Sequence, residues 1–99
     1  MTVLEIAVIP VNTDAGEQAT HAIITGAELV NSDHRCHSVT VVRGVEEPGK
    51  IILLIEWASI EAHNAFRASD TYRQYRAAIQ DHLSGTPAFS HYETLAQLT

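Results

Sequence analysis

The segment from Lys50 to Trp57 reads KIILLIEW, and this run restricts the fold more than any other in the chain. Successive side chains of a strand point to opposite faces, so Ile51, Leu53, Ile55 and Trp57 share one face and Ile52 and Leu54 the other. An antiparallel sheet with one wet face alternates apolar and polar residues. This run does not alternate, so both of its faces need burial. Helices of the same chain can cover one face. A chain of 99 residues buries only roughly 60 to 65% of the surface that its unfolded form exposes, which leaves little to cover the second. A copy of the same sheet is the simplest cover, and the strand therefore predicts a homodimer.

The remaining elements fall around this strand. VLEIAVIPV, from Val3 to Val11, has strand composition, with Pro10 near its end. Asn12, Thr13 and Asp14 offer helix-capping side chains. Ala15, Ala19, Ala22, Ile23, Gly26, Leu29 and Val30 then recur at helical spacing, which predicts a first helix running to about Asn31. Gly26 and the β-branched Thr20, Ile23, Ile24 and Thr25 give that helix poor intrinsic propensity, so packing must hold it. A second strand is predicted from about Cys36 to Val45, a hairpin turn from Glu46 to Lys50, and the third strand from Ile51 to Trp57. Ser59 is placed to cap a short helix from Ile60 to Ala68. Ser69 and Asp70 open another, with Tyr72, Tyr75, Ile79 and Leu83 on one side, that stops before Gly85 and Pro87. A fourth strand is expected from about Ala88 to Leu95.

The order is thus β, α, β, β, α(α), β in a single domain over residues 1–99. It predicts an α+β fold of the ferredoxin-like split βαβ type: a four-stranded antiparallel sheet with helices on one face. With the two sheets of a homodimer packed together, the assembly is a dimeric α+β barrel.

A formal net charge of −6, with only six Lys and Arg, repels phosphate, so neither nucleic acid nor an anionic membrane surface is an expected partner. The longest apolar run, Ile51 to Ile55, is far too short to span a bilayer, and no charged-then-apolar leader opens the sequence. The expectation is a cytoplasmic protein, and a lone Cys36 that has no internal disulfide partner agrees with a reducing compartment.

One stretch carries a more specific signature: Glu56 and Trp57 at the strand end, Ser59, then Glu61, Ala62, His63 and Phe66, then Ser69, Tyr72 and Tyr75, and a last strand entered through Pro87 and reaching Tyr92. It resembles the antibiotic biosynthesis monooxygenase family. That resemblance implies a dimeric α+β barrel, and the family includes cofactor-free oxygenases of aromatic polyketides, haem-degrading enzymes, quinol oxygenases and small proteins without assigned activity. In the polyketide-oxidising members the pocket is lined by an Asn on the third strand, a Trp at its end, a Tyr on the short helix and an Arg on the long one. By position Trp57 matches the Trp and Arg76 the Arg, while His63 stands at the Tyr position and Leu53 at the Asn position. The haem-degrading members use an axial His on the long helix and an Asn on the first strand. Arg76 occupies the former position here and Ala7 and Val8 the latter, so no haem, and no other cofactor, is expected.

Read from the residues alone, Arg76 lies four residues after Tyr72 and three before Ile79, beside the inward side of its helix. Its guanidinium can stabilise an enolate or phenolate, or pair instead with Glu56, Glu61 or Asp70. His63 is the candidate general base, because imidazole accepts a proton near neutral pH. Trp57 offers a flat wall for an aromatic substrate. Tyr72, Phe66 and Leu53 complete the candidate substrate-binding set. His34, Cys36 and His37 lack a second ligand pair and begin in a loop, and although His91 could complete the group, no metal site is expected.

Taken with the resemblance, these residues imply a cofactor-independent oxygenase that removes a proton from a small electron-rich aromatic (a phenol, anthrone, quinol or polyketide-like molecule) and lets the anion react with dioxygen. The same dimeric scaffold also admits a non-catalytic small-molecule-binding module, or an isomerase or cyclase that uses the base and anion-stabilising group without oxygen.

Overall fold

A computed structural model of the chain describes residues 1–14 and 16–99. Strand β1 (Val3–Pro10) is followed by helix α1 (Gln18–Asn31), the hairpin β2 (Cys36–Arg43) and β3 (Lys50–Trp57), helices α2 (Ile60–Arg67) and α3 (Asp70–Ile79), a single 3-10 turn (Gln80–His82), and β4 (Ala88–Tyr92). The strands form one sheet in the order β2-β3-β1-β4, and every neighbouring pair is antiparallel. This is the split βαβ arrangement that the order of elements predicts.

Two helix starts follow from local chemistry. The Ser59 hydroxyl accepts the Ala62 N–H at 3.0 Å, and the Ser69 hydroxyl accepts the Tyr72 N–H at 3.2 Å, so each satisfies a backbone donor that the first helical turn leaves free. Helix α1 differs from expectation. It begins at Gln18, several residues past the Asn12–Asp14 segment, because Asn12 uses its side-chain oxygen on the Asp14 N–H at 2.8 Å and Gly16 adopts a left-handed φ of 67°. The predicted helical position Ala15 lies outside the described residues. Strand β2 ends at Arg43 instead of Val45 and β4 at Tyr92 instead of Leu95.

All three helices lie on one side of the sheet. Ile23, Ala27 and Val30 of α1, Phe66 of α2 and Ile79 of α3 pack with Ala7 and Ile9 of β1 and with Ile51, Leu53, Ile55 and Trp57 of β3. Register places Ile6 opposite Leu54 and Val8 opposite Ile52, so these four share the other face with Leu4 and Val42. There Leu4, Ile6, Val8, Ile52 and Leu54 are only half-buried and Val42 is exposed, with no helix over them.

Gly26 sets how closely α1 approaches α3. A Cβ at this position would stand 3.0 Å from Ile79 Cγ2 and 3.1 Å from Tyr75 Cδ1, and Ile79 is fully buried with nowhere to retreat. Gly26→Val is therefore expected to destabilise the fold by about 1–3 kcal/mol through overpacking, read as a lower urea midpoint at unchanged slope.

Candidate active site

A cleft opens between the sheet and helices α2 and α3, with ≈ 70 Å³ of free space. Trp57, at the end of β3, is fully buried and forms its floor. Phe66 packs against it with ring centroids 5.3 Å apart, and Tyr72 meets Phe66 edge-on at 5.8 Å. Tyr75 and Ile79 from α3 and Phe89 from β4 complete the apolar walls. Arg76 reaches the cleft from α3 while remaining exposed. Neither Asp70, which pairs with Arg73, nor Glu56, which faces His37, holds it by an ion pair among the described residues.

The polar end of the cleft is a buried group that spans three elements. Glu5 is one of the inward residues of β1, between Val3 and Ala7, and it pairs in register with His91 of β4. Its Oε1 accepts the Trp57 indole N–H at 2.8 Å. His63, carried inward by α2, brings Nε2 to 3.6 Å from the same oxygen, and His91 Nε2 stands at 3.9 Å. The two imidazole rings meet edge-on with centroids 4.0 Å apart. His63 Nδ1 faces Asn64 Oδ1 at 3.3 Å, while His91 Nε2 is buried without a hydrogen-bond partner among the described residues.

Burial holds the His63 imidazole below the usual histidine range, and the positive potential of His91 and Arg67 acts in the same direction against the opposing pull of Glu5. Burial also pushes the Tyr75 hydroxyl upward, so it stays protonated and can donate a hydrogen bond.

The structure therefore brings Trp57, His63, Phe66, Tyr72 and Arg76 to a single cleft. Leu53 is not one of its walls: it is fully buried in the middle of the core, although Ala7, its partner across the β1–β3 ladder, and Ile9 do line the cleft. His34, Cys36 and His37 do not converge. His37 faces Glu56, and the Cys36 thiol contacts the Ser38 carbonyl. The donors that could hold a metal ion are instead Glu5, His63 and His91. Glu5 escaped the sequence reading, which weighed His91 only beside His34, Cys36 and His37, although a signal existed for both. Strand alternation puts Glu5 on the face of Val3, Ala7 and Ile9, and the two-residue step from Phe89 to His91 puts both on one face of β4.

The model of the antibiotic biosynthesis monooxygenase family matches residues 2–78, more than three quarters of the chain. The chain belongs to that family. Among curated proteins, the uncharacterized protein YczJ of Bacillus subtilis (strain 168) is 23% identical over 92 residues, covering 92% of this chain and 97% of that one. A candidate antibiotic biosynthesis monooxygenase from Bordetella bronchiseptica superposes with a TM-score of 0.83 at 23% identity, covering 96% of this chain and 98% of that one. Rv0793 from Mycobacterium tuberculosis gives 0.81 at 20% identity with full coverage of both chains. A variant of SnoaB, a cofactor-independent oxygenase from Streptomyces nogalater, gives 0.82 at 12% identity, covering 98% and 96%. At these identities the structural likeness shows a shared fold. No helix among the described residues is long and apolar enough to cross a membrane.

Proposed function

We propose that this family member is a homodimeric, cofactor-independent oxygenase that oxidises a small electron-rich aromatic, such as a phenol, anthrone or quinol, with dioxygen. The observation that supports this reading is the meeting of Trp57, His63 and Arg76 at one apolar cleft, since the three come from different elements and could have faced apart. The homodimer is supported by the uncovered apolar face of β1 and β3.

In this scheme the ring lies against Trp57 and Phe66, and Tyr72 closes one side. His63 takes the acidic proton of the substrate, and the Arg76 guanidinium faces the oxyanion that forms. The apolar walls exclude water, so the anion keeps its electron-donating strength and reduces dioxygen directly. For an anthrone-type methylene the balance is CH2 + O2 → C=O + H2O, one oxygen atom entering the product and the other leaving as water.

Turnover should appear with a panel of anthrones, naphthols and hydroquinones as oxygen uptake in step with substrate loss. His63→Gln should lower kcat by about 10²- to 10³-fold with KM nearly unchanged, the pattern of a group that acts in the transition state. Turnover under argon would replace the oxygenase with an isomerase or cyclase. Binding without turnover across the panel would leave a small-molecule-binding module.

A further inference from the structure

We propose that Glu5, His63 and His91 also form a site for one divalent transition-metal ion of the zinc class. The ligand atoms of these residues all lie within 4.8 Å of one another, and the two imidazole nitrogens stand 3.6 and 3.9 Å from Glu5 Oε1. In a tetrahedral zinc site with bonds of about 2.0–2.1 Å, neighbouring ligand atoms are about 3.3–3.5 Å apart, so the set needs only a modest contraction to close on an ion.

Trp57 has a single N–H, and it already points to Glu5 Oε1. His63 Nδ1 lies 3.3 Å from Asn64 Oδ1, and the tautomer that donates there leaves the Nε2 lone pair directed towards the carboxylate. His91 Nε2 is buried and unpartnered. Two imidazole nitrogens and a carboxylate oxygen thus converge, and among the described residues the Trp57 N–H is the one hydrogen bond made to these three atoms, so a cation would complete their coordination. Imidazole and carboxylate together suit zinc, cobalt, nickel or copper better than magnesium or calcium, which prefer all-oxygen sets. The Trp57 N–H on the carboxylate and the Asn64 amide oxygen on the imidazole are the outer contacts that commonly hold metal ligands in place. Three protein ligands leave a fourth position open towards the cleft.

This inference goes beyond the oxygenase reading and does not depend on it. An ion would occupy the nitrogen with which His63 takes a proton, so ion and substrate proton are alternative occupants and the loaded form is silent in proton transfer.

The test uses chelator-stripped full-length chain and the metal alone. Cobalt(II) should bind at one ion per chain with the visible absorption of a low-coordinate nitrogen and oxygen site, and zinc(II) should displace it and raise the melting midpoint. Glu5→Gln and His91→Gln, each first checked by circular dichroism for the parent fold without metal, should weaken zinc binding by more than about 100-fold, beyond what loss of an outer contact costs. Cys36→Ser and His37→Ala should leave it unchanged. The proposal is overturned if the parent chain binds neither ion, if binding follows Cys36 or His37, or if the folded Glu5 and His91 variants bind as tightly as the parent. Because binding is read without substrate, its failure would leave the oxygenase reading standing, and inactivity on every aromatic would leave the metal result standing.

Discussion

Leu54→Lys is expected to give a folded monomer, and the parent chain, on the homodimer reading, a dimer. Leu54 sits on the sheet face turned away from the helices, opposite Ile6 on one side and Thr40 on the other. Around it Leu4, Ile6, Val8 and Ile52 form an apolar surface that the chain's own helices leave uncovered. In a monomer a lysine at this position extends into water at little cost, since its stem lies along the neighbours while its ammonium stays hydrated. In a dimer packed through this face, two-fold symmetry introduces two like-charged ammonium groups per interface, both drawn out of water. Such a burial costs several kcal/mol. At about 3 kcal/mol the dissociation constant rises more than 100-fold. Sedimentation equilibrium at micromolar concentration should report twice the chain mass for the parent and the single mass for Leu54→Lys, with the helical circular dichroism of both intact. Val45→Lys, on the exposed hairpin between β2 and β3, should remain dimeric. A monomeric parent, or a variant that associates as tightly as the parent, would remove the homodimer from the functional reading.

The same strand shows how far the sequence could be read. The double-faced apolarity of β3 follows from period-two alternation, which depends on neighbouring residues alone, and so do the Ser59 and Ser69 caps. The start of α1 was not legible in the same way. Asn12 has the chemistry of a helix cap, and whether its side chain serves a helix or its own turn depends on the backbone two residues on. Position within the resemblance picked out Trp57, His63, Arg76 and Leu53, and the first three line one cleft. It passed over Glu5, because a single carboxylate in an apolar strand reads as a solvated residue until its partners are known. Those partners are remote: the Trp57 indole is 52 residues away in sequence, and His63 and His91 come from α2 and β4. Only the assembled fold makes the inward position of Glu5 tolerable, by supplying the Trp57 N–H to a polar group that would otherwise be buried without a partner.

Leu53→Ala separates what position in a family implies from what burial decides. Leu53 stands where the polyketide-oxidising members carry a pocket Asn, yet it has 0% exposure and lies between Ala7 and Val41 in the sheet, beneath the helices. Truncation there should leave a cavity and cost about 2–5 kcal/mol, a large share of the 5–15 kcal/mol that holds a small domain together. For a domain of this size the melting midpoint should fall by roughly 4–8 °C for each kcal/mol, measured at a fixed protein concentration so that dimer mass action does not enter. Affinity for a ligand of the cleft, compared below both transitions, should change by less than about threefold, since the walls around Trp57 keep their contacts. A pocket residue would behave in the opposite way, with affinity lost and stability kept. Loss of affinity with an unchanged midpoint would return Leu53 to the substrate-binding set and extend the cleft along β3 past Ile55. The expected result confines recognition to the Trp57 end of the strand, where the buried carboxylate and the two imidazoles lie.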